Sequence, residues 1–182
     1  ILIWLSLEYQ AAEVSAYAGI AGMLPQAIIG PLAGIYIDRT NRKRIMILSD
    51  TFIAVCAIVL IFILNKETVN LVWIYIMLGL RSVGNAFHSP ALQALAPLIV
   101  PKKELLRVAG INQMLHSICS IGGPALGTVA IAILPISNVL YLDLIGALLA
   151  ISSLMMVRIP QTIKGSKFSV QTISTEFIDG LH

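Results

Sequence analysis

Apolar and polar positions alternate in long blocks along this chain. Apolar stretches cover residues 14–36, 45–64, 71–94, 108–134 and 139–157, separated by short polar connections. Each stretch has the roughly 20 residues an α-helix needs to cross about 30 Å of hydrocarbon. Within them only Asp50, Arg81 and Asp143 carry a formal charge. The pattern predicts five membrane-spanning helices. A further apolar piece, Ile1–Ser6, is too short to span and reads as the remnant of a helix cut off at residue 1. Residue 1 is not Met and no basic segment precedes the run, so no signal peptide is expected. After residue 158, Val170, Ile173, Phe177 and Leu181 form an apolar helical stripe suited to a membrane surface or to the bundle.

Composition points to the same solvent. Of 182 residues, 58% are hydrophobic and 12% charged, and the mean hydropathy is +0.90. A water-soluble exterior requires far more polar surface. The expected class is therefore all-α and integral to the membrane. Charge placement gives the orientation. Arg39, Arg42, Lys43, Arg44, Lys102, Lys103, Arg107, Arg158, Lys164 and Lys167 are ten of the twelve basic residues. All ten fall in segments 38–44, 95–107 and 158–182, which alternation places on one side. The positive-inside rule makes that side cytoplasmic. Retention of these loops accounts for the formal charge of +3 without a nucleic-acid partner. Cys56 and Cys119 fall within spans and make no metal or disulfide spacing.

Inside lipid, helices associate through close packing of small residues and through polar contacts. Gly22, Gln26, Gly30 and Gly34 recur at i+4 on the first full span, which also holds Pro25 and Pro31. A static tight helix pair and a flexing helix both fit the glycines, and two prolines favour flexing. On the fourth span, Asn112, His116, Ser120, Gly123 and Gly127 share a stripe, with Pro124 in its outer half. A polar stripe is expected to face neighbouring helices or a cavity rather than lipid. Gln26, Asn112 and Gln113 are accordingly candidates for a substrate cavity.

Arg81 lies about 15 Å into its helix at 1.5 Å per residue, close to the bilayer midplane. A central arginine costs about 2.5–3.5 kcal/mol on insertion scales, which points to function or to a buried partner. Asp50 and Asp143 are the two acids within spans, and one sequence does not choose between them. His116 reads either as a satisfied interior histidine or as a proton carrier. There is no paired histidine spacing, phosphate-cradling glycine loop or nucleophile elbow. Enzyme chemistry thus has little support, and no cofactor is expected. The alternative from that class is a membrane metalloenzyme using His88, His116 and Asp143.

Gly34, Asp38, Arg39, Arg42 and Lys43 spell G-x-x-x-D-R-x-x-R-K. This spacing resembles the loop between helices 2 and 3 of the major facilitator superfamily, with Asn41 where the family carries glycine. Asparagine also tolerates a left-handed backbone, so the turn is expected to survive. Arg81 takes the place of the family's helix-4 arginine. Gly110, Gly123, Pro124 and Gly127 are similar to its helix-5 antiporter motif, with Cys119 replacing one glycine. The stretch "RSVGNAFHSPALQALAPLIVPKKELLRVAG" looks like the drug-exporter branch that contains the macrolide-efflux proteins and the enterobactin exporter. It is most similar to the Mef-type macrolide pumps.

The resemblance runs from about residue 1 to about 160 and implies the superfamily's N-terminal six-helix bundle with helix 1 truncated. Residues 159–182 would then be a cytoplasmic linker leading towards a missing seventh helix. It further implies a fragment of a secondary active transporter that exports macrolides or other drugs by proton antiport through alternating access. The implied partners are a small drug-like molecule, the proton, the bilayer and the missing C-terminal half of the same chain. Arg81, Asp50, Asp143 and His116 become candidates for proton coupling. Gly34, Asp38, Arg39, Arg42 and Lys43 become a conformational latch in which Asp38 contacts the other half. A siderophore or small-metabolite exporter of the same fold and a non-transporting truncated product are the rival readings.

Overall fold

The computed structural model describes residues 1–66 and 69–157. Those residues form six α-helices and no strand: α1 (Leu2–Tyr9), α2 (Ala12–Asp38), α3 (Arg42–Leu64), α4 (Leu71–Ile99), α5 (Leu105–Ile133) and α6 (Ile136–Met156). A single 3₁₀ turn, Lys102–Glu104, leads into α5. The all-α class expected from the apolar blocks is the one observed. By length and composition α2, α3, α5 and α6 can each cross a bilayer. In α4 the apolar run is broken by Arg81, Asn85 and His88, and that helix falls outside this set. The basic residues Arg158, Lys164 and Lys167 and the apolar stripe ending at Leu181 lie outside the described residues.

Local chemistry sets the helix ends. Gln10 adopts a left-handed backbone, φ 46°, and closes α1. Asn41 caps α3 by accepting the backbone N–H of Arg44 on its side-chain oxygen at 3.2 Å. Its backbone is extended, φ −74° and ψ 104°, so the left-handed turn expected there does not form. The asparagine serves as an N-cap instead, a job glycine does less well because it has no acceptor. Pro101 and Pro135 precede the 3₁₀ turn and α6, where a fixed φ suits a helix start.

The bundle is organised around α4, which packs against α2 on one side and α3 on the other. α3 in turn meets α6, while α1 leans on α2 and reaches α5. The buried core splits into two clusters at opposite ends. Leu5, Ala18, Leu60, Ile74 and Leu140 form one, and Ala33, Ile37, Ile45, Met46, Ala91 and Leu95 form the other. α5 contributes no buried residue to either and touches its neighbours lightly.

Close approach is achieved by glycines other than those the i+4 pattern singled out. A Cβ added to Gly84 of α4 would lie 2.6 Å from Ile53 Cγ1 on α3, so only glycine lets these helices meet as they do. Gly22, Gly30 and Gly34 of α2 have nothing within 4 Å of an added Cβ. These half-buried glycines therefore do not make the close helix contacts among the described residues.

The prolines of α2 are used against α4. Pro25 has no N–H to donate and so leaves the Ala21 carbonyl without its usual helical partner. Gly79 of α4 sits opposite that carbonyl. One residue on, the backbone N–H of Gln26 donates across the interface to the Ser82 hydroxyl at 3.1 Å. Ser82 is almost fully buried, so this bond lies in a site where an unmade one is costly.

Candidate functional site: two ion pairs along α4

Arg81, Asn85 and His88 are spaced i, i+4 and i+7, which puts them on one face of α4. Two acids from other helices meet that face. Nη2 of Arg81 donates to Oδ2 of Asp143 on α6 at 2.6 Å. Nε2 of His88 lies 3.2 Å from Oδ1 of Asp50 on α3. The choice left open by the sequence is thus resolved: Arg81 pairs with Asp143, and Asp50 pairs with a histidine. The side chains of Arg81, His88 and Asp50 are 18%, 27% and 14% exposed, whereas that of Asp143 is 43% exposed. Arg81, His88 and Asp50 are thus largely withdrawn from solvent, where a charge without a partner is expensive. The second guanidinium nitrogen of Arg81, Nη1, is buried and makes no hydrogen bond among the described residues.

His88 and Ser82 carry more of this site than sequence reasoning assigned them. His88 entered only through the metal alternative. The available signal was its position seven residues after Arg81, which repeats the same helical face.

At the α2–α3 connection the roles are redistributed. Asp38 is the last residue of α2, is 72% exposed, and has Arg42 Nη2 at 3.7 Å. Lys43 makes the specific contact: its Nζ donates to the carbonyls of Met155 and Val157 at 3.0 and 2.6 Å. These belong to the C-terminal end of α6, where helical carbonyls lack partners and the dipole favours a cation. Gly34 lies in the last turns of α2 and Arg39 just beyond its end, and the latch role expected of them concerns a partner outside this chain.

The polar stripe of α5 does not meet the rest of the bundle. Asn112, Gln113 and His116 are exposed, and His116 Nδ1 has Ser120 Oγ at 3.4 Å one turn away. Gly110, Gly123 and Gly127 have open space where a side chain would go. Thr128 donates its hydroxyl to the Pro124 carbonyl one turn back at 2.8 Å. The expectation that this stripe faces neighbouring helices is not met among the described residues.

Cavities open between the helices among the described residues. One of about 290 Å³ lies between α3 and α4 and is lined by Ile45, Ser49, Phe52, Gly84 and Phe87. Another of about 340 Å³, lined by Trp4, Glu8, Thr128 and Pro135, lies between α1, α5 and α6. Neither is lined by Gln26 of α2 or by Asn112 and Gln113 of α5. Among the described residues no three His, Cys, Asp or Glu side chains gather as a metal site. His88, His116 and Asp143 each face a different partner.

Comparison with known proteins supplies the context for this arrangement. The family profile described as Major Facilitator Superfamily matches residues 1–177. The chain is 35% identical over 178 residues to Macrolide efflux protein A of Streptococcus pyogenes, covering 98% of this chain and 43% of that protein. It is 36% identical over 159 residues to Macrolide efflux protein A of Enterococcus faecalis, covering 87% of this chain and 48% of the relative. An uncharacterized MFS-type transporter of Bacillus subtilis, YkuC, is 30% identical over 138 residues, or 76% of this chain and 32% of the relative. The chain thus spans less than half the length of each of these three relatives.

Proposed function

The chain belongs to the major facilitator superfamily, and on that premise we propose that it supplies one half of a two-half exporter for macrolides or similar drugs. The reading of drug export rests on likeness to the two macrolide efflux proteins. The reading of proton antiport rests on one observation, the 2.6 Å pair between Arg81 and Asp143.

Arginine keeps its charge in proteins, so a proton arriving at this pair must bind Asp143. Binding neutralises the carboxylate and removes half of a charge-assisted hydrogen bond between α4 and α6. The guanidinium is then left needing a new acceptor, and a helix rearrangement that provides one becomes favourable. Repeated with the proton on alternate sides, this is the electrostatic step that alternating access needs. The membrane-embedded Asp50 and the exposed His116 are further coupling candidates.

In this reading the basic connections 38–44 and 95–107 and the tail 158–182 face the cytoplasm. The second half covers the open glycine face of α2 and the polar face of α5, so that Gln26, Asn112 and Gln113 line a route between the halves. Asp38, exposed at the end of α2, contacts that second half as part of the latch with Gly34, Arg39, Arg42 and Lys43.

The test is macrolide uptake into inverted vesicles bearing the two-half transporter, driven by an imposed pH gradient. Uptake that a protonophore abolishes supports antiport, and uptake indifferent to the gradient overturns it. Clear macrolide resistance conferred by residues 1–182 alone would overturn the two-half reading.

A further inference from the structure

The Asp50–His88 contact is a second pairing of charge-bearing groups in the bundle, on different helices from Asp143 and at a different depth. Asp50 is eight residues into α3, about 12 Å from its start at 1.5 Å per residue. His88 is seven residues beyond Arg81 on α4, about 10 Å further along the same face. The two pairs are therefore stacked along one helix.

We infer that Asp50 and His88 form a proton-binding station separate from Arg81 and Asp143, with Nδ1 of His88 as the atom that takes up and releases the proton. The inference rests on the antiport reading above and adds to it a residue and an atom.

Chemistry distinguishes the two stations. The Arg81–Asp143 pair accepts a proton only by spoiling its own hydrogen bond. Imidazole is the side chain whose charge changes near neutral pH, and its two nitrogens divide the work. Asp50 Oδ1, 3.2 Å from Nε2, holds the N–H on that nitrogen. Nδ1 is left with a lone pair. A hydronium ion gives its proton to that lone pair, so one O–H bond breaks, one N–H bond forms and a water is left; release to water reverses both changes. The pair is neutral overall with the proton and carries one negative charge without it.

That difference matters because the pair is largely withdrawn from solvent, with His88 27% and Asp50 14% exposed between α3 and α4. Ser49 and Phe87, the chain neighbours of Asp50 and His88, line the cavity between α3 and α4 together with Ile45, Phe52 and Val83. A net charge in such a setting is costly, so losing the proton penalises this packing of α3 on α4. The station thereby couples proton release to the interface on which the bundle is organised.

Other charged and titratable groups on the packed elements are otherwise engaged or set apart. α3 carries Arg42, beside Asp38, Lys43, bound to the end of α6, Arg44 on its first turn, and the thiol of Cys56. α4 carries Arg81, committed to Asp143 of α6, and Tyr75, whose hydroxyl reaches the Val14 carbonyl. α2 presents Tyr36, stacked edge-on against Phe87, and Tyr17 against Tyr75, with Glu13 and Asp38 at its two ends.

The experiment compares the full two-half transporter with its His88→Gln variant in reconstituted vesicles. Two readouts are taken: drug efflux driven by a pH gradient across a range of pH, and drug exchange at equal pH on both sides, which needs no net proton movement. Loss of gradient-driven efflux and of its pH dependence, with exchange retained, is expected. Asp50→Asn is expected to give the same split, and it carries the test if His88→Gln does not reach the membrane. Loss of both activities together marks the pair as structural and overturns the inference, as does a wild-type pH profile in both variants. A wild-type protein that ignores the gradient overturns the antiport reading and this inference with it.

Discussion

Arg81 and Asp143 stand 62 residues apart in sequence and 2.6 Å apart in space, joining α4 to α6 where those helices otherwise scarcely touch. Removing the guanidinium removes that link and leaves Asp143 without its cation. In the two-half transporter, Arg81→Ala is expected to abolish efflux driven by a pH gradient while leaving drug binding partly intact. Arg81→Lys should be damaged as well, because an ammonium lacks the planar fork and can lose its proton when buried. Efflux in inverted vesicles and binding on the same preparations check both. Normal pumping by Arg81→Ala would reduce the pair to a structural tie.

Lys43 and Asp38 belong to one motif, yet the structure gives them different work. Lys43→Gln is expected to loosen the end of α6, because a neutral amide cannot hold the Met155 and Val157 carbonyls as an ammonium does. Hydrogen exchange at the amides of residues 150–157 should become several-fold faster, in line with the loss of a terminal contact of roughly 1 kcal/mol. Asp38→Asn should leave the exchange unchanged, since its carboxylate is exposed and 3.7 Å from Arg42. In the whole transporter the proposed latch makes Asp38→Asn impair transport. If Asp38→Asn alters exchange at α6 and Lys43→Gln does not, the two roles have been assigned backwards.

The sequence made the fold class legible because lipid imposes long apolar runs, and those runs are local. The charged exceptions Asp50, Arg81 and Asp143 were legible for the same reason: each breaks a run at visible cost. Their pairing was not, because choosing Asp143 over Asp50 depends on how α3 and α6 are rotated about α4. His88 shows the limit most clearly. A histidine is cheap enough in an apolar helix to pass as core, and only the third dimension supplies Asp50. Glycine spacing alone did not locate the close contact. Gly22, Gly30 and Gly34 have open space at an added Cβ, while Gly84 has the closest approach among the described glycines, since contact depends on the partner's side chain and not on periodicity.

Gly123 and Pro124 test what the α5 stripe is for. No neighbour lies within 4 Å of a Cβ added to Gly123, so alanine there meets no obstacle in this chain. Replacing Gly123 and Pro124 by Ala and Leu is expected to preserve membrane insertion and also to restore a regular helix, because leucine supplies the N–H that proline lacks. In the two-half transporter the same change should weaken proton-driven efflux, since close approach and a local break in the backbone are both removed. Unchanged efflux in vesicles would leave the antiporter motif without mechanistic content in this chain.

Gly84 offers the sharpest packing test. Its missing side chain admits Ile53 Cγ1 and Cδ1, which would lie 2.6 and 3.1 Å from an added Cβ, with Phe52 Cδ1 at 3.4 Å. Alanine gains about 1 kcal/mol of helix propensity over glycine. Against this, a methyl 2.6 Å from Ile53 Cγ1 forces a shift, and overpacking of that kind costs typically about 1–3 kcal/mol. The β-branched Ile53 has little rotamer freedom on a helix with which to withdraw. Overpacking should therefore win, and Gly84→Ala is expected to lower the thermal unfolding midpoint of the chain in detergent. Ile53→Ala removes both obstructing carbons and leaves a hole that the new methyl partly fills. The double variant should consequently be more stable than the sum of the two single losses implies. Gly22→Ala serves as the control, since its added Cβ has open space, and it should not destabilise the chain. Strict additivity between positions 84 and 53 would show that α3 and α4 do not meet at this glycine.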